Sequence, residues 1–269
     1  MTIEFHAWMS GSTLQIMSDV SRTCLITGAG RGIGRAIAVK LAAQGHRVAL
    51  VARNWDELDE TAKLCGGSAL VVPADLTAPG AVDDVFAGVE AELGAVEILV
   101  ANAGAGTSAP IARVTDADWQ RMIDLNLTAP FRCIRRAVPE MVATGYGRII
   151  VIASVASKRG EPYIAAYTAA KHGVLGLVRS TASELARSGV TVNAVCPAYV
   201  DTPMTDGTIA TIMDRTGRTA DEARRILSDK QPISRLITVD EVAEAVWFCV
   251  QNAGVTGQGI NVDGGANQS

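Results

Sequence analysis

From Arg22 onward, short apolar runs rich in β-branched residues alternate with longer stretches of helical hydrophobic spacing. The short runs predict strands at 23–27, 47–52, 69–73, 98–102, 148–153, 191–196 and 259–262. The longer stretches predict helices at about 32–44, 55–64, 81–93, 116–144, 163–188 and 239–251. Strand followed by helix, repeated along a chain, is the signature of βαβ units and a parallel sheet. Several runs are apolar almost throughout, which suits strands covered on both faces. With no internal repeat, linker or low-complexity tract, we expect one doubly wound α/β domain of about seven strands flanked by helices. One stretch breaks the rhythm. Residues 202–237 carry helix-like pieces at 208–214 and 220–229 and no strand. An insertion after the sixth strand's carboxyl end lies over the crevice where such folds bind ligands, so a small helical flap over the site is expected.

Composition narrows the function classes. Hydrophobic residues make up 48% of the 269 and charged residues 19%, with mean hydropathy +0.22, as for a chain with a large buried core. A net charge of −4, with no basic cluster interleaved with aromatics, excludes a nucleic-acid footprint. Cys24, Cys65, Cys133, Cys196 and Cys249 are scattered and odd in number, which reads as reduced thiols of a cytoplasmic protein. His6, His46 and His172 stand apart, so no metal is expected. Residues 1–21 fit neither a secretory signal nor the strand–helix rhythm. They are expected to form a flexible or partner-packed extension ahead of a domain at 22–269, with Met9 or Met17 as alternative starts. No apolar stretch reaches membrane-spanning length.

Thr27-Gly28-Ala29-Gly30-Arg31-Gly32-Ile33-Gly34 follows the first predicted strand and opens the first predicted helix. Glycines there let the backbone approach a pyrophosphate, and the helix N-terminus supplies N–H donors and a favourable dipole. The end of the second strand distinguishes the cofactors, because an acidic residue there holds the ribose 2′-hydroxyl of NAD. The run here is Leu50-Val51-Ala52-Arg53-Asn54, with no carboxylate before Asp56. Arg53, joined by Arg31 from the glycine loop, suits a 2′-phosphate and favours NADP(H), with NAD(H) the alternative. Asp75 is placed either to accept from an adenine amino group or to form a turn before Leu76-Thr77.

Tyr167 and Lys171 stand four residues apart on a predicted helix and share one face. A free tyrosine ionises near pH ~10. A neighbouring cation stabilises the phenolate and is expected to lower that value.

With T-G-A-G-R-G-I-G, Asn102-Ala103-Gly104, Asn126, Ser154 and Tyr167-x-x-x-Lys171 in order, the chain resembles the short-chain dehydrogenases/reductases over about Arg22 to Gly265. The resemblance implies a Rossmann-type domain, usually a homotetramer, that transfers hydride between a nicotinamide and a carbonyl or alcohol. It implies Tyr167 as the proton donor, Lys171 as the cation that lowers its pKa and bonds the nicotinamide ribose, and Ser154 as the group that polarises the carbonyl. Asn126 would anchor a water in a proton relay to Lys171, and Thr202 would contact the carboxamide. Ile33, Leu76, Ala103, Gly104, Pro197 and Val200 complete the implied cofactor contacts. Two positions depart from the family pattern. Ala101 replaces an asparagine, and Ala198 replaces the glycine after Pro197.

The C-terminal half is most similar to bacterial reductases of 3-oxoacyl thioesters and aromatic polyketides, as in Val192-Asn-Ala-Val-Cys-Pro197. The 202–237 insertion and Val262-Asp-Gly-Gly265 also resemble 3-hydroxybutyrate dehydrogenases. The small loop Ala105-Gly106-Thr107-Ser108 lacks polar groups long enough to clamp a short carboxylate, so a bulky or extended ketone is expected. Tyr163, Tyr199 and Met204 are candidate substrate contacts. Lys158 and Arg159 are candidates for a phosphopantetheine or CoA phosphate, or else solvated loop charges. The alternatives are an NAD-dependent hydroxy-acid dehydrogenase and a catalytically silent protein that senses the cofactor.

Overall fold

The computed structural model describes residues 20–267, so nearly all of the expected N-terminal extension, with Met9 and Met17, lies outside the described residues. In chain order the strands are β1 (Thr23–Thr27), β2 (Arg47–Ala52), β3 (Leu70–Pro73), β4 (Ile98–Ala101), β5 (Gly147–Ile152), β6 (Val190–Pro197) and β7 (Gly259–Val262). They pair in parallel in the order β3-β2-β1-β4-β5-β6-β7. After β3 the chain returns past β1 to begin β4, so the direction of winding reverses between those two strands. The carboxyl ends of β1 and β4 therefore diverge into a crevice.

Nine helices accompany the sheet among the described residues: α1 (Gly32–Ala43), α2 (Trp55–Leu64), α3 (Ala81–Leu93), α4 (Asp116–Ile123), α5 (Ala129–Thr144), α6 (Ala165–Leu185), α7 (Pro203–Thr216), α8 (Ala220–Asp229) and α9 (Val239–Gln251). Alternation along each strand sorts the core into two layers. Leu25, Leu99, Ile149 and Val151 face Phe86 of α3, Cys133 of α5 and Val174 of α6. Ile26, Val100, Ile150 and Ile152 face Ile37 of α1, Leu58 of α2 and Val246 of α9. Each large side chain so buried contributes about 1.5–3 kcal/mol relative to exposure, and both faces contribute, which is why the strands read as continuous apolar runs.

The structure differs from the sequence expectation in particular places. The helix expected over 116–144 is interrupted by a π-helical turn, Asp124–Thr128. Pro130, at the start of α5, has no N–H to offer the preceding turn. Helix α6 begins at Ala165 rather than 163, because Tyr163 sits at φ 71°, in the left-handed region. Helix α7 is longer than the expected 208–214, starting at Pro203 directly after Thr202, a favoured first helical position for proline. Helices α7 and α8 form the flap and carry a small apolar cluster of their own around Ile209, Ala223, Leu227 and Leu236. Among the described residues, no helix is long and apolar enough to cross a membrane.

Candidate active site

The glycine loop between β1 and α1 is shaped by close backbone approach. Gly28 and Gly32 adopt φ of 65° and 54°, where glycine carries no Cβ penalty. A Cβ on Gly28 would lie 2.8 Å from Asn102 Nδ2 and 2.9 Å from Ala103 Cα, and one on Gly34 would collide with the Gly28 carbonyl oxygen. The Asn102 amide donates to the carbonyls of Thr27 (2.9 Å) and Gly28 (3.1 Å). In return, the Thr27 hydroxyl accepts from the backbone N–H groups of Asn102 and Ala103, each at 2.9 Å. Behind the loop, Arg35 donates to the Gly30 carbonyl from Nε (3.0 Å) and Nη2 (2.5 Å). Several loop carbonyls are thus held away from the cleft. No described side chain caps α1, and its first turn holds no carboxylate. Its N–H groups and positive dipole end are left to whatever occupies the cleft, a donor set that fits a pyrophosphate.

At the end of β2, the Asn54 side chain caps α2 by accepting from Asp56 N (3.0 Å) and Glu57 N (3.3 Å). Arg53 therefore has no capping work and stands in the cleft wall. Arg31 reaches Glu57 at 3.4 Å but is 64% exposed, a weak surface pair that leaves its guanidinium accessible. Asp75 forms the turn: its Oδ1 accepts from Thr77 Oγ1 (2.7 Å) and Thr77 N (3.0 Å). These bonds hold its carboxyl below the ordinary value, with the Arg53 charge adding a smaller push in the same direction. Asp75 lines the same cleft, and both turn bonds fall on Oδ1.

At the other end of the crevice, Ser154 follows β5, and Tyr167 and Lys171 share one face of α6. The Ser154 backbone is fixed by a capping box: its Oγ accepts from Ala156 N (3.1 Å), and its own N–H donates to Ser157 Oγ (3.2 Å). Lys171 is buried, donates to the Ile152 carbonyl at 2.8 Å, and lies 5.6 Å from the centre of the Tyr167 ring. Burial lowers its pKa from 10.5 to about 8. Burial raises that of Tyr167, and a hydrogen bond with Ser154 offsets part of the rise. This corrects the sequence expectation of a lowered tyrosine, since the ammonium is directed at a backbone carbonyl and desolvation dominates. Asn126 is fully buried in the π-helical turn, its Nδ2 donating to the carbonyls of Ala105 and Met122 at 3.0 Å each. Its Oδ1 has no partner among the described residues. A Cβ on Gly104 would lie 2.9 Å from that oxygen and 3.7 Å from Lys171 Nζ, so only glycine leaves room between them.

Every candidate cofactor residue, with Asn126, Ser154 and Met204, lines one cleft of about 1100 Å³. Thr202 closes over Gly32, whose Cβ would meet the threonine methyl at 3.4 Å. Two substrate candidates, Tyr163 and Tyr199, fall outside the cleft lining. Tyr163 is 60% exposed, its carbonyl accepting from Ala109 N at 2.8 Å. The Tyr199 hydroxyl donates to Glu161 Oε2 (3.0 Å) and receives from Lys230 Nζ (3.1 Å), while the ring packs under the flap. Nor are Lys158 and Arg159 left for a phosphate. Lys158 donates to the Gly259 carbonyl (2.6 Å), and Arg159 is held by the Ala266 carbonyl (3.0 Å) and Glu161 (3.1 Å). Arg121 and Leu125 also line the cleft and were missed. Arg121 stands on α4 and Leu125 in the π-helical turn, and nothing in their spacing signals the cleft.

A glycine loop at a topological switch point and a Ser–Tyr–Lys group across the same cleft define a nicotinamide-dependent oxidoreductase. The chain belongs to the short chain dehydrogenase family, which its residues 22–212 match. It is similar to the D-beta-hydroxybutyrate dehydrogenase of Rhizobium meliloti (strain 1021), 39% identical over 254 residues that cover 91% of this chain and 98% of that protein. It is 34% identical over 252 residues to a 3-oxoacyl-[acyl-carrier-protein] reductase, FabG, of Staphylococcus aureus (strain Mu50), covering 91% and 98%. A crystal structure of actinorhodin polyketide ketoreductase with NADPH superposes with a TM-score of 0.88 at 36% identity, covering 91% of this chain and 97% of that one.

The Asn102 clasp generates a direct test. Asn102→Asp places an acceptor against the Thr27 and Gly28 carbonyl oxygens and is expected to lower unfolding stability by about 1–3 kcal/mol or more, measured by denaturant titration. An unchanged midpoint would mean that the loop holds its shape without the clasp.

Proposed function

We propose that this protein is an NADP(H)-dependent reductase of a ketone, with Tyr167 as proton donor. The observation that carries the reading is the grouping of Ser154, a protonated Tyr167 and Lys171 at one end of the cleft whose other end is the glycine loop. NADPH bound along the cleft supplies the hydride. The chain supplies orientation and the proton. The Ser154 hydroxyl holds the substrate carbonyl oxygen beside the Tyr167 hydroxyl, and the tyrosine gives its proton to that oxygen as negative charge develops. The Lys171 ammonium then faces the phenolate left behind. Asn126 Oδ1, buried and unpaired among the described residues, supports an ordered water as the route for reprotonation. Arg53 and Arg31 support the preference for a 2′-phosphate.

The resemblance to a 3-oxoacyl-[acyl-carrier-protein] reductase and a polyketide ketoreductase supports a thioester-borne or bulky ketone. A second reading, oxidation of a short hydroxy acid with NAD, draws on the resemblance to D-beta-hydroxybutyrate dehydrogenase. Against it, Lys158 and Arg159 are bonded elsewhere, and no acidic residue stands at the end of β2 before Asp56. The exposed Phe131 and Val142 of α5 and Phe248 of α9 support assembly as a homotetramer, and five free thiols support a cytoplasmic location.

Three measurements test the reading. With NADPH and a panel of ketones and 3-oxoacyl thioesters, followed at the nicotinamide absorbance, Tyr167→Phe is expected to lower kcat by about a hundredfold or more. Retention of most turnover would remove Tyr167 from the role. Arg53→Ala is expected to reduce the NADPH-over-NADH preference in kcat/KM about tenfold or more, the scale of one charge-assisted hydrogen bond. An unchanged preference defeats the 2′-phosphate assignment. The pH dependence follows from Lys171, whose folded pKa is lowered to about 8, so its charge is present below that pH and lost above it. Reductive kcat/KM is therefore expected to be level up to about pH 8 and to fall beyond, with the alkaline limb absent in Lys171→Arg at whatever rate that variant retains.

A further inference from the structure

Glu161 lies in the segment that joins Ser154 to α6, outside the cleft lining. Its side chain is only 14% exposed, and three donors from three segments converge on its carboxylate. Arg159 Nη2 reaches Oε1 at 3.1 Å, and Oε2 receives Tyr199 OH at 3.0 Å and faces Lys230 Nζ at 3.5 Å. Tyr199 belongs to the segment after β6, and Lys230 closes α8. Arg159 carries the network on to the Ala266 carbonyl near the C-terminal end (3.0 Å). The flap itself begins and ends beside this cluster. Val200 and Ile237 form a parallel bridge at its base, and Gln231 donates to the Tyr199 carbonyl at 3.3 Å.

We propose that Glu161 is a positioning residue: its carboxylate latches the base of the α7–α8 flap to the loop that joins Ser154 to the helix carrying Tyr167. The inference goes beyond the proposed reaction but rests on that reading for its catalytic arm. The flap is held to the sheet by few apolar contacts, since its own cluster is separate from the two main core layers. A charge network among half-buried groups supplies the missing tie. Loss of the carboxylate leaves Arg159 and Lys230 facing one another without a counter-charge, and the repulsion opens the base. Met204, at the start of α7 and in the cleft wall, would move with it. Substrate held between flap and catalytic loop then binds less tightly, while Ser154, Tyr167 and Lys171 keep their own bonds to β5 and α6.

The test uses Glu161→Gln, Lys230→Met and the double variant in the full chain. In hydrogen exchange of the free protein, amides of α7 and α8 are expected to exchange about tenfold faster or more in Glu161→Gln, with α1 amides unchanged. The double variant is expected to recover part of that protection, because the uncompensated cation is gone. For any ketone that the wild-type protein reduces with NADPH, KM is expected to rise about fivefold or more in Glu161→Gln with kcat within about twofold. Unchanged flap exchange overturns the latch, and so does faster exchange spread equally over α1, the mark of general destabilisation. A fall in kcat with KM unchanged also overturns it. Should the wild-type protein reduce no ketone, the proposed function fails while the exchange measurement still decides the latch.

Discussion

The close passage of the β1 and β4 carboxyl ends is the constraint on which the rest of the site depends. Asn102 and Thr27 exchange hydrogen bonds across that passage, two from the asparagine amide and two into the threonine hydroxyl. The approach leaves no space for a Cβ at Gly28 or Gly34. Two residues farther along, Gly104 passes close to Asn126 Oδ1, with Lys171 Nζ at ordinary contact distance beyond. The short segment Asn102-Ala103-Gly104 therefore touches the cofactor cradle on one side and the catalytic group on the other. The strand-order reversal puts β4 beside β1, and those contacts turn a topological crevice into a site of fixed dimensions.

Electrostatics in the site follow from burial more than from pairing. Lys171 makes one hydrogen bond, to Ile152, in exchange for its hydration, and its pKa falls to about 8. Tyr167, desolvated by the same walls, moves the other way. The raised pKa of Tyr167 keeps its proton at neutral pH, while Lys171 remains an ammonium below about pH 8. A helical spacing of four residues carries no information about desolvation. That is why the sequence argument, sound about proximity, had the sign of the tyrosine shift reversed.

The sheet and the cradle were legible because each rests on a local rule. Continuous apolar runs mark strands covered on both faces, and the glycine loop stands where a strand hands over to a helix. Boundaries moved by a residue or two where turn chemistry intervened, as at Tyr163. The π-helical turn at Asn126 was legible only as a helical stretch, because a single turn of that kind is too short to set a period of its own. The tyrosines and cations around the flap were misjudged for a different reason. Lys158, Arg159 and Tyr199 look free in sequence, and each is committed to a partner between 38 and 107 residues away, with Arg159 additionally bonded to Glu161 nearby. Such distant pairings leave no periodic trace.

The arrangement also separates what family membership determines from what it leaves open. Ser154 stands just past β5, and Tyr167 and Lys171 on α6, against the main core, where a changed side chain disturbs close packing. The flap has its own small cluster around Ile209 and Leu227, joined to the body by the Val200–Ile237 bridge and by polar contacts. Its helices can therefore vary in sequence with little strain on the sheet. A family that keeps the first region and varies the second retains one reaction while changing the carbonyl compound it accepts. Relatives named for a hydroxybutyrate and for an acyl-carrier-protein thioester both align along 91% of this chain.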